Sequence, residues 1–398
     1  MHVLWIGKTF PFCGNVTYTK EISKYLTQNN NQFSLVHFSY NNSCLFNKKY
    51  SHISLKAIYQ SQLYTIPSFM STSYIFCIIK ALAPDIIHIS LSLSPIDLIL
   101  PQIAKILNIP VIATFHPAFK FNICLINNYK TILKIQNKTI YNEFQFKSTY
   151  IDTQGIFHRQ LLVYKFYIPF LYKYSSIIVF SRLQFRLMQK LGLTQCLLYR
   201  IPNGVNYKRY EYIKVSLKEY LKCKCIFLYQ GRISPEKNLE KILKVWVNHK
   251  MGINCKLLII GNGPLVYKLM HKYKPEQGFI WMGCINNELR KINLIKSSNV
   301  FLLSSLIEGL SISLLESMSS QLACISTNSG SSQTVLRPDN GILISYKKLI
   351  SQLEILLPLL RDNNEIRRLL SKKSRKKLIA HYSLYNNINK LTNLYNQN

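Results

Sequence analysis

Residues Val300–Met318 read VFLLSSLIEGLSISLLESM, and the fold class turns on them. Val300–Leu303 is a short apolar run of the kind a fully buried strand uses. A Glu-Gly loop follows, and from about Leu310 the apolar residues recur at helical spacing. A strand passing through a tight loop into a helix presents free backbone N–H groups and the positive end of a dipole, which together attract an anion. Glu308 stands in the loop before those amides, and Glu316 about two turns beyond. Two carboxylates suit a bare phosphate poorly. They suit a phosphate-bearing ligand with hydroxyls at both ends, because an ionised carboxylate only accepts hydrogen bonds. The plain alternative for Glu316 is an exposed helix residue.

The same grammar appears upstream. Strand Ile226–Tyr229 runs into Gln230-Gly231-Arg232-Ile233-Ser234-Pro235-Glu236-Lys237-Asn238. Open parallel sheets bind ligands at the carboxyl ends of their strands, where this loop falls. Gly231 allows a tight turn, Arg232 offers a fork and Lys237 a point charge to a diphosphate. Strand Lys256–Ile260 runs into Gly261-Asn262-Gly263-Pro264, where two glycines bring backbone close to a ligand or a neighbouring strand; a plain turn accounts for them equally well. Strands Phe279–Trp281 and Ala323–Ser326, with helices between, complete a parallel α/β pattern.

The N-terminal half repeats the architecture without repeating the sequence. Its strands are His2–Ile6, Phe33–Phe38, Asp85–Ile89, Val111–Thr114 and Ile177–Phe180, with a loop at Phe10–Gly14, a helix through Leu26 and another over Ile96–Leu107. A polar, Lys-rich linker, Asn206–Lys224, follows Ile201-Pro202-Asn203-Gly204. We therefore read a Rossmann-like domain over residues 1–204, a second over 205–372 and a helical tail over 373–398. Between Arg367 and Lys377 lie seven basic residues and no acid. They form either a solvated helix surface or a patch facing a membrane or acceptor. Phe119–Lys173 interleaves aromatic and basic residues, with Glu143 and Asp152 its two acids. It suits an anionic lipid interface, or else an insertion whose aromatics fill the first core.

Composition bounds the partners. The 398 residues suffice for two cores, and 48% apolar against 17% charged residues excludes wholesale disorder. Fifty Lys+Arg against 17 Asp+Glu, formally +33, create a field that draws nucleotide diphosphates, nucleic acid or acidic headgroups alike. No aromatic RNA-recognition stretch or zinc-finger spacing is present, so no specific nucleic acid is expected. The ten cysteines form no CxxC pair, so neither a metal site nor a disulfide framework is indicated, and a reducing compartment is expected. The opening MHVLWI is too short for a signal segment, and the longest apolar run, Ile75–Ala83, is broken by Lys80. An intracellular, soluble or peripheral protein follows. The wealth of Ile, Leu, Lys, Asn and Tyr reads as an AT-rich genome, hence a plastid stroma or a bacterial cytoplasm on composition alone.

Gly231–Asn238, Gly261–Gly263, the Glu308 and Glu316 pair and Asn340-Gly341 stand in the order and spacing of the family-4 retaining glycosyltransferases, which the chain resembles over nearly its whole length. Phe10-Pro11 with Gly14, Ile109–His116 (IPVIATFH) and Ile201–Val205 (IPNGV) extend the likeness into the first half. The resemblance implies a GT-B fold, two Rossmann-like domains facing across a cleft, with the C-terminal helices crossing back to the first domain. It implies a nucleotide-sugar donor, no cofactor and no metal. Arg232 and Lys237 would hold the donor diphosphate, and Gly231, Gly263 and the amides of Gly309, Leu310 and Ser311 would complete the cradle. Glu316 would bind the ribose and Glu308 the donor sugar. Gly14 would approach the diphosphate from the facing domain, and His116 would lie near sugar and acceptor, although by itself it reads equally as a packed loop histidine.

Three positions depart from the family pattern. Gly-Gly is Gly14-Asn15, the Asp after Pro-Asn-Gly-Val is Asn206, and the late Gly-Gly-x-x-Glu is Ser329-Gly330-Ser331-Ser332-Gln333. They bear on donor identity and efficiency rather than on class. The acceptor is read as a lipid or a saccharide. A nucleotide-sugar 2-epimerase and a non-catalytic basic binder of membrane or RNA are the rival readings.

Overall fold

A computed structural model describes residues 1–9, 14–47, 49–60, 65–91, 94–116, 168–194, 197–211 and 221–398. The Phe10-Pro11 pair, most of Phe119–Lys173 and the middle of the linker lie outside the described residues.

The first half is built on β1 (His2–Gly7), β2 (Gln32–Ser39), β3 (Ser43–Phe46), β4 (Tyr50–Gln60), β5 (Thr65–Pro67), β6 (Ile86–Leu91), β7 (Val111–Phe115), β8 (Ser176–Val179) and β9 (Leu198–Arg200). They pair in the order β3–β4–β2–β1–β6–β7–β8–β9, with β5 added to β4. Pairing is parallel except at β3–β4 and β4–β5. The helices of this half are α1 (Gly14–Gln28), α2 (Phe69–Leu82), α3 (Ile96–Ile106) and α4 (Arg182–Lys190). Strands β6, β7 and β8 are buried along their whole length, which is why apolar residues dominate them, with His88, Ser90, Thr114 and Ser176 as buried polar exceptions. The β3–β4–β5 meander was not expected. Its strands mix Ser, His, Lys and Thr with apolar residues at the sheet's open edge, where no continuous run is needed.

The second sheet is wholly parallel, in the order β12–β11–β10–β13–β14–β15. Its strands are β10 (Cys225–Gln230), β11 (Cys255–Ile260), β12 (Phe279–Gly283), β13 (Val300–Leu303), β14 (Ala323–Thr327) and β15 (Ile342–Ile344). Its helices are α5 (Leu239–Asn248), α6 (Val266–Lys272), α7 (Glu288–Ser297), α8 (Ile312–Ser319), α9 (Ser332–Val335), α10 (Leu349–Asp362) and α11 (Asn364–His381). Along β10, Ile226 and Leu228 enter one core while Phe227 and Tyr229 enter another on the opposite face. Strand order reverses between β10 and β13. The loops leaving those two strands diverge there and open a crevice.

The chain returns to the first half through α12 (Leu384–Gln397). Leu384, Ile388, Leu391, Leu394 and Tyr395 share one apolar cluster with Val3, Trp5 and Phe33 of the first sheet. The Tyr395 hydroxyl meets His88 Nδ1 at 2.6 Å, and the Tyr25 hydroxyl donates to Asn389 Oδ1 at 2.5 Å. The turn into α12 pairs with Val205, whose amide donates to Tyr382 O at 3.0 Å. A Cβ on Gly204 would stand 2.5 Å from Leu384 Cα, so the glycine of IPNGV answers to this crossing of the two chain passages. Residue 372 lies inside the unbroken helix α11, and it is the helix after it that reaches the first sheet. Arg209 joins the halves, meeting Glu21 of α1 at 2.9 Å and Glu288 of α7 at 2.7 Å.

Candidate functional site

The predicted residues of the second half gather at the reversal point. Ser304 Oγ donates to Lys237 O at 2.7 Å, and the Leu306 amide donates to Glu236 O at 2.8 Å, lacing the loop after β10 to the loop after β13. On that lacing sits an ion pair, Lys237 Nζ to Glu308 Oε2 at 2.7 Å. The loop after β14 closes over it. Gly330 has φ +52°, and a Cβ there would lie 1.6 Å from Glu308 O. The glycine of the late motif therefore survives for backbone reasons. Its lost acid is Gln333, half-buried in α9.

Glu316 is buried, not exposed, which removes the plain reading of it. One carboxylate oxygen meets Lys291 Nζ at 2.7 Å and the other accepts from Gln230 Nε2 at 2.6 Å. Buried Tyr210 stands near it, and burial followed by the Glu316 and Glu288 charges pushes the Tyr210 hydroxyl far above its ordinary pKa. A carboxylate has about four acceptor positions, so these donors fix it without filling it.

Helix α8 starts at Ile312, two residues later than expected, with Ser311 as its N-cap. The Ser311 hydroxyl accepts from the Leu314 amide at 3.3 Å, so one of the free amides is already satisfied. Gly309 and Leu310 stand before the cap, and the Leu310 side chain packs in the core. The reading of Gly231 as a tight-turn glycine is corrected. Its φ is not positive, and a Cβ there would meet nothing closer than the Tyr229 hydroxyl at 3.5 Å. Gly263 lies where its loop crosses the Arg232 loop, since a Cβ would stand 2.3 Å from Ile233 O. Tyr229 supports that loop by donating to Arg232 O at 2.7 Å. Arg232 is half-buried and makes no ion pair among the described residues.

In the first half, Gly14 opens α1, and His116 follows β7 at the carboxyl edge of the sheet. The imidazole packs against Tyr18 and Phe180, and Nε2 is buried without a hydrogen-bond partner. Burial, and then the Lys8 charge, hold its pKa down to about 3, so it is neutral in physiological conditions. The seven basics of α11 do not share one exposed face. Arg367 is buried and donates to Leu360 O and Arg361 O, Arg375 reaches Ser319 O and Glu211, and Lys377 reaches Asn340. Arg368, Lys372, Lys373 and Lys376 remain exposed.

Sequence reasoning missed Gln230 as a partner, Lys291, Tyr210 and Lys8. Gln230 opens the quoted loop and proves to be the last residue of β10. Lys291 is one lysine among many on a helix of ordinary pattern, and nothing along the chain marks it.

Two Rossmann-like halves, each with its groups at a carboxyl sheet edge, define the GT-B architecture. The Glycosyltransferase Family 4 model matches residues 13–209, and the Glycosyl transferases group 1 model matches residues 218–377. The chain belongs to this glycosyltransferase family. It is 27% identical over 209 residues to the UDP-Gal:alpha-D-GlcNAc-diphosphoundecaprenol alpha-1,3-galactosyltransferase of Escherichia coli, an alignment covering 49% of this chain and 53% of that one. The match thus spans about half the length of that relative. The sucrose-phosphate synthase of Thermosynechococcus elongatus superposes with TM-score 0.72 at 16% identity, covering 100% and 98% of the two chains. HepE of Anabaena, in complex with UDP-glucose, gives 0.67 at 10% identity and full coverage of both.

Proposed function

We propose that the protein moves a sugar from a UDP- or GDP-linked donor to a lipid or saccharide acceptor, with retained anomeric configuration and no divalent metal. One observation carries the reading. Two lysine-held glutamates flank a helix N-terminus at the strand-order reversal of a parallel sheet. Arg232 and Lys237 hold the diphosphate with the amides of Gly309, Leu310 and Ser311, while Gly231 and Gly263 let backbone approach it. Glu316 receives the ribose hydroxyls and Glu308 those of the sugar, with Lys237 released from Glu308 toward phosphate. Gly14 and His116 close the site from the facing half.

The acceptor oxygen bonds to the anomeric carbon as the bond from that carbon to the diphosphate oxygen breaks. The acceptor proton passes to the departing phosphate on the same face. Negative charge grows on the leaving group, and fixed cations and amides stabilise it most at the transition state. His116, being neutral, serves as a hydrogen-bonding and packing group rather than an acid. The relative from Escherichia coli, whose name joins a UDP-sugar to a lipid-linked saccharide, supports the donor and acceptor classes.

The test is a panel of nucleotide sugars against the purified protein, by thermal shift and hydrolysis. Saturable binding that survives EDTA and disappears in Glu316→Ala is the expected result. Binding to none of them, or binding that EDTA abolishes and Mg²⁺ restores, would overturn the proposal in whole or in its metal-free part.

A further inference from the structure

A second surface of the first half takes no part in this site. Strand β4 runs past the last residue paired with β2 and joins β5 through a bulge between Ala57 and Tyr59. The bulge keeps Ala57 inside and leaves both Ile58 and Tyr59 outside, 69% and 48% exposed. A regular strand would send those neighbours to opposite faces. Helix α2 begins against this hairpin, because the Ser68 amide and the Ser71 hydroxyl both donate to Lys56 O. Ser71, Ile75 and Ile79 turn to the core, while Phe69, Met70 and Tyr74 point outward at 84%, 60% and 44% exposure.

The stretch of sequence that carries these residues has charge of one sign. Residues 22–84 contain five lysines and no Asp or Glu. Lys56 on β4 and Lys80 on α2 are exposed beside the apolar residues. Position matters too. β4 runs parallel to β2 and β2 to β1, so the end of β4 bearing Ile58 lies on the same sheet edge as Lys8 and His116.

We propose that Ile58 and Tyr59 at the end of β4 and the outer face of α2, together with Lys56 and Lys80, dock the protein on an anionic lipid bilayer. The apolar side chains enter below the headgroups, and the lysines meet headgroup phosphates. A side chain as exposed as Phe69 needs no shape-matched pocket in a fluid surface, and the absence of acids from residues 22–84 limits repulsion from anionic lipid. Docking depends on this surface alone. That it brings a lipid-borne acceptor to the cleft rests on the transferase reading.

The full chain is sedimented with vesicles of phosphatidylcholine and of a phosphatidylcholine–phosphatidylglycerol mixture, at salt that screens the general attraction of a +33 chain. Parent protein is expected to partition onto the mixed vesicles. The triple variant Phe69→Ser, Met70→Ser, Tyr74→Ser weakens partition by roughly tenfold or more, the scale of losing a buried apolar side chain. The variant Arg368→Ser, Lys372→Ser, Lys376→Ser on α11 keeps it. The proposal fails if the parent does not bind, if the first triple variant binds as the parent does, or if the α11 variant loses binding instead. It fails also if sedimentation velocity finds a dimer that the first triple variant abolishes, since the occupant is then a second copy. UDP binding measured on the same samples is expected to be unchanged in both variants; its absence from the parent counts against the transferase reading alone.

Discussion

Arg232 is the residue on which the chemistry leans hardest. In a chain of fifty cations and seventeen acids there are too few acids to pair with every basic group, so the absence of an ion pair at Arg232 alone means little. Its place at the reversal point is the argument. Arg232→Ala is expected to lower kcat at least ~100-fold, the scale of removing one donor to developing charge; turnover within a few-fold of the parent would end its assigned role. Lys291 carries a different burden. Lys291→Met leaves Glu316 buried with one donor fewer, and because Gln230 remains the expected loss is about 1–3 kcal/mol. Donor affinity should fall with it, and Lys291→Arg should recover both. Melting curves and titration with UDP decide between a working pair and an idle one.

At the scale of elements, the short helix α8 is where fold and site share a residue. Ser311 caps it, and Ser311→Ala is expected to cost about 1 kcal/mol. Ser311→Asp keeps a capping oxygen but sets a negative charge where the diphosphate is proposed to lie. Stability held and nucleotide binding lost is therefore the expected signature of Ser311→Asp. An aspartate variant that binds UDP as well as the parent would move the phosphate elsewhere. Helix α11 teaches the opposite lesson. Its basic run reads as solvated or partner-facing, yet Arg367 is buried and caps the end of α10 with two carbonyl bonds.

Across the whole molecule, the second crossing of the chain ties both halves into one apolar cluster, and histidines sit inside that arrangement. His88 stacks on Trp5 at 3.8 Å, with its nitrogens 2.6 Å from Tyr395 of α12 and 2.6 Å from Thr114. Burial and then the nearby His116 lower its pKa well below the ordinary value; burial and then His52 lower that of His37 to about 4. Each is depressed in the folded state, so between about pH 6.5 and the folded value the unfolded chain binds the extra proton. Stability is therefore whole above pH 6.5 and is lost on acidification, at most about 1.4 kcal/mol per pH unit per histidine. Urea denaturation at pH 7 and pH 5 should give a lower midpoint at pH 5, and equal midpoints would mean that these imidazoles are not held neutral.

Much was legible before any coordinates. Val300–Leu303 is a strand end to end, Lys237 and Glu308 form an ion pair, and Glu316 reaches back to Gln230 at the end of β10. A buried parallel strand must be apolar throughout, and a ligand loop must leave its carboxyl end, so both constraints are written in consecutive residues. What tertiary structure alone decided is who meets whom across the chain. Lys291 on Glu316, Gly204 beneath Leu384, Gly330 over Glu308 and the outward pair Ile58 and Tyr59 depend on how elements distant in sequence are stacked. Local pattern sets the period and burial of each element; the partner of a side chain is set by packing, which no local pattern encodes.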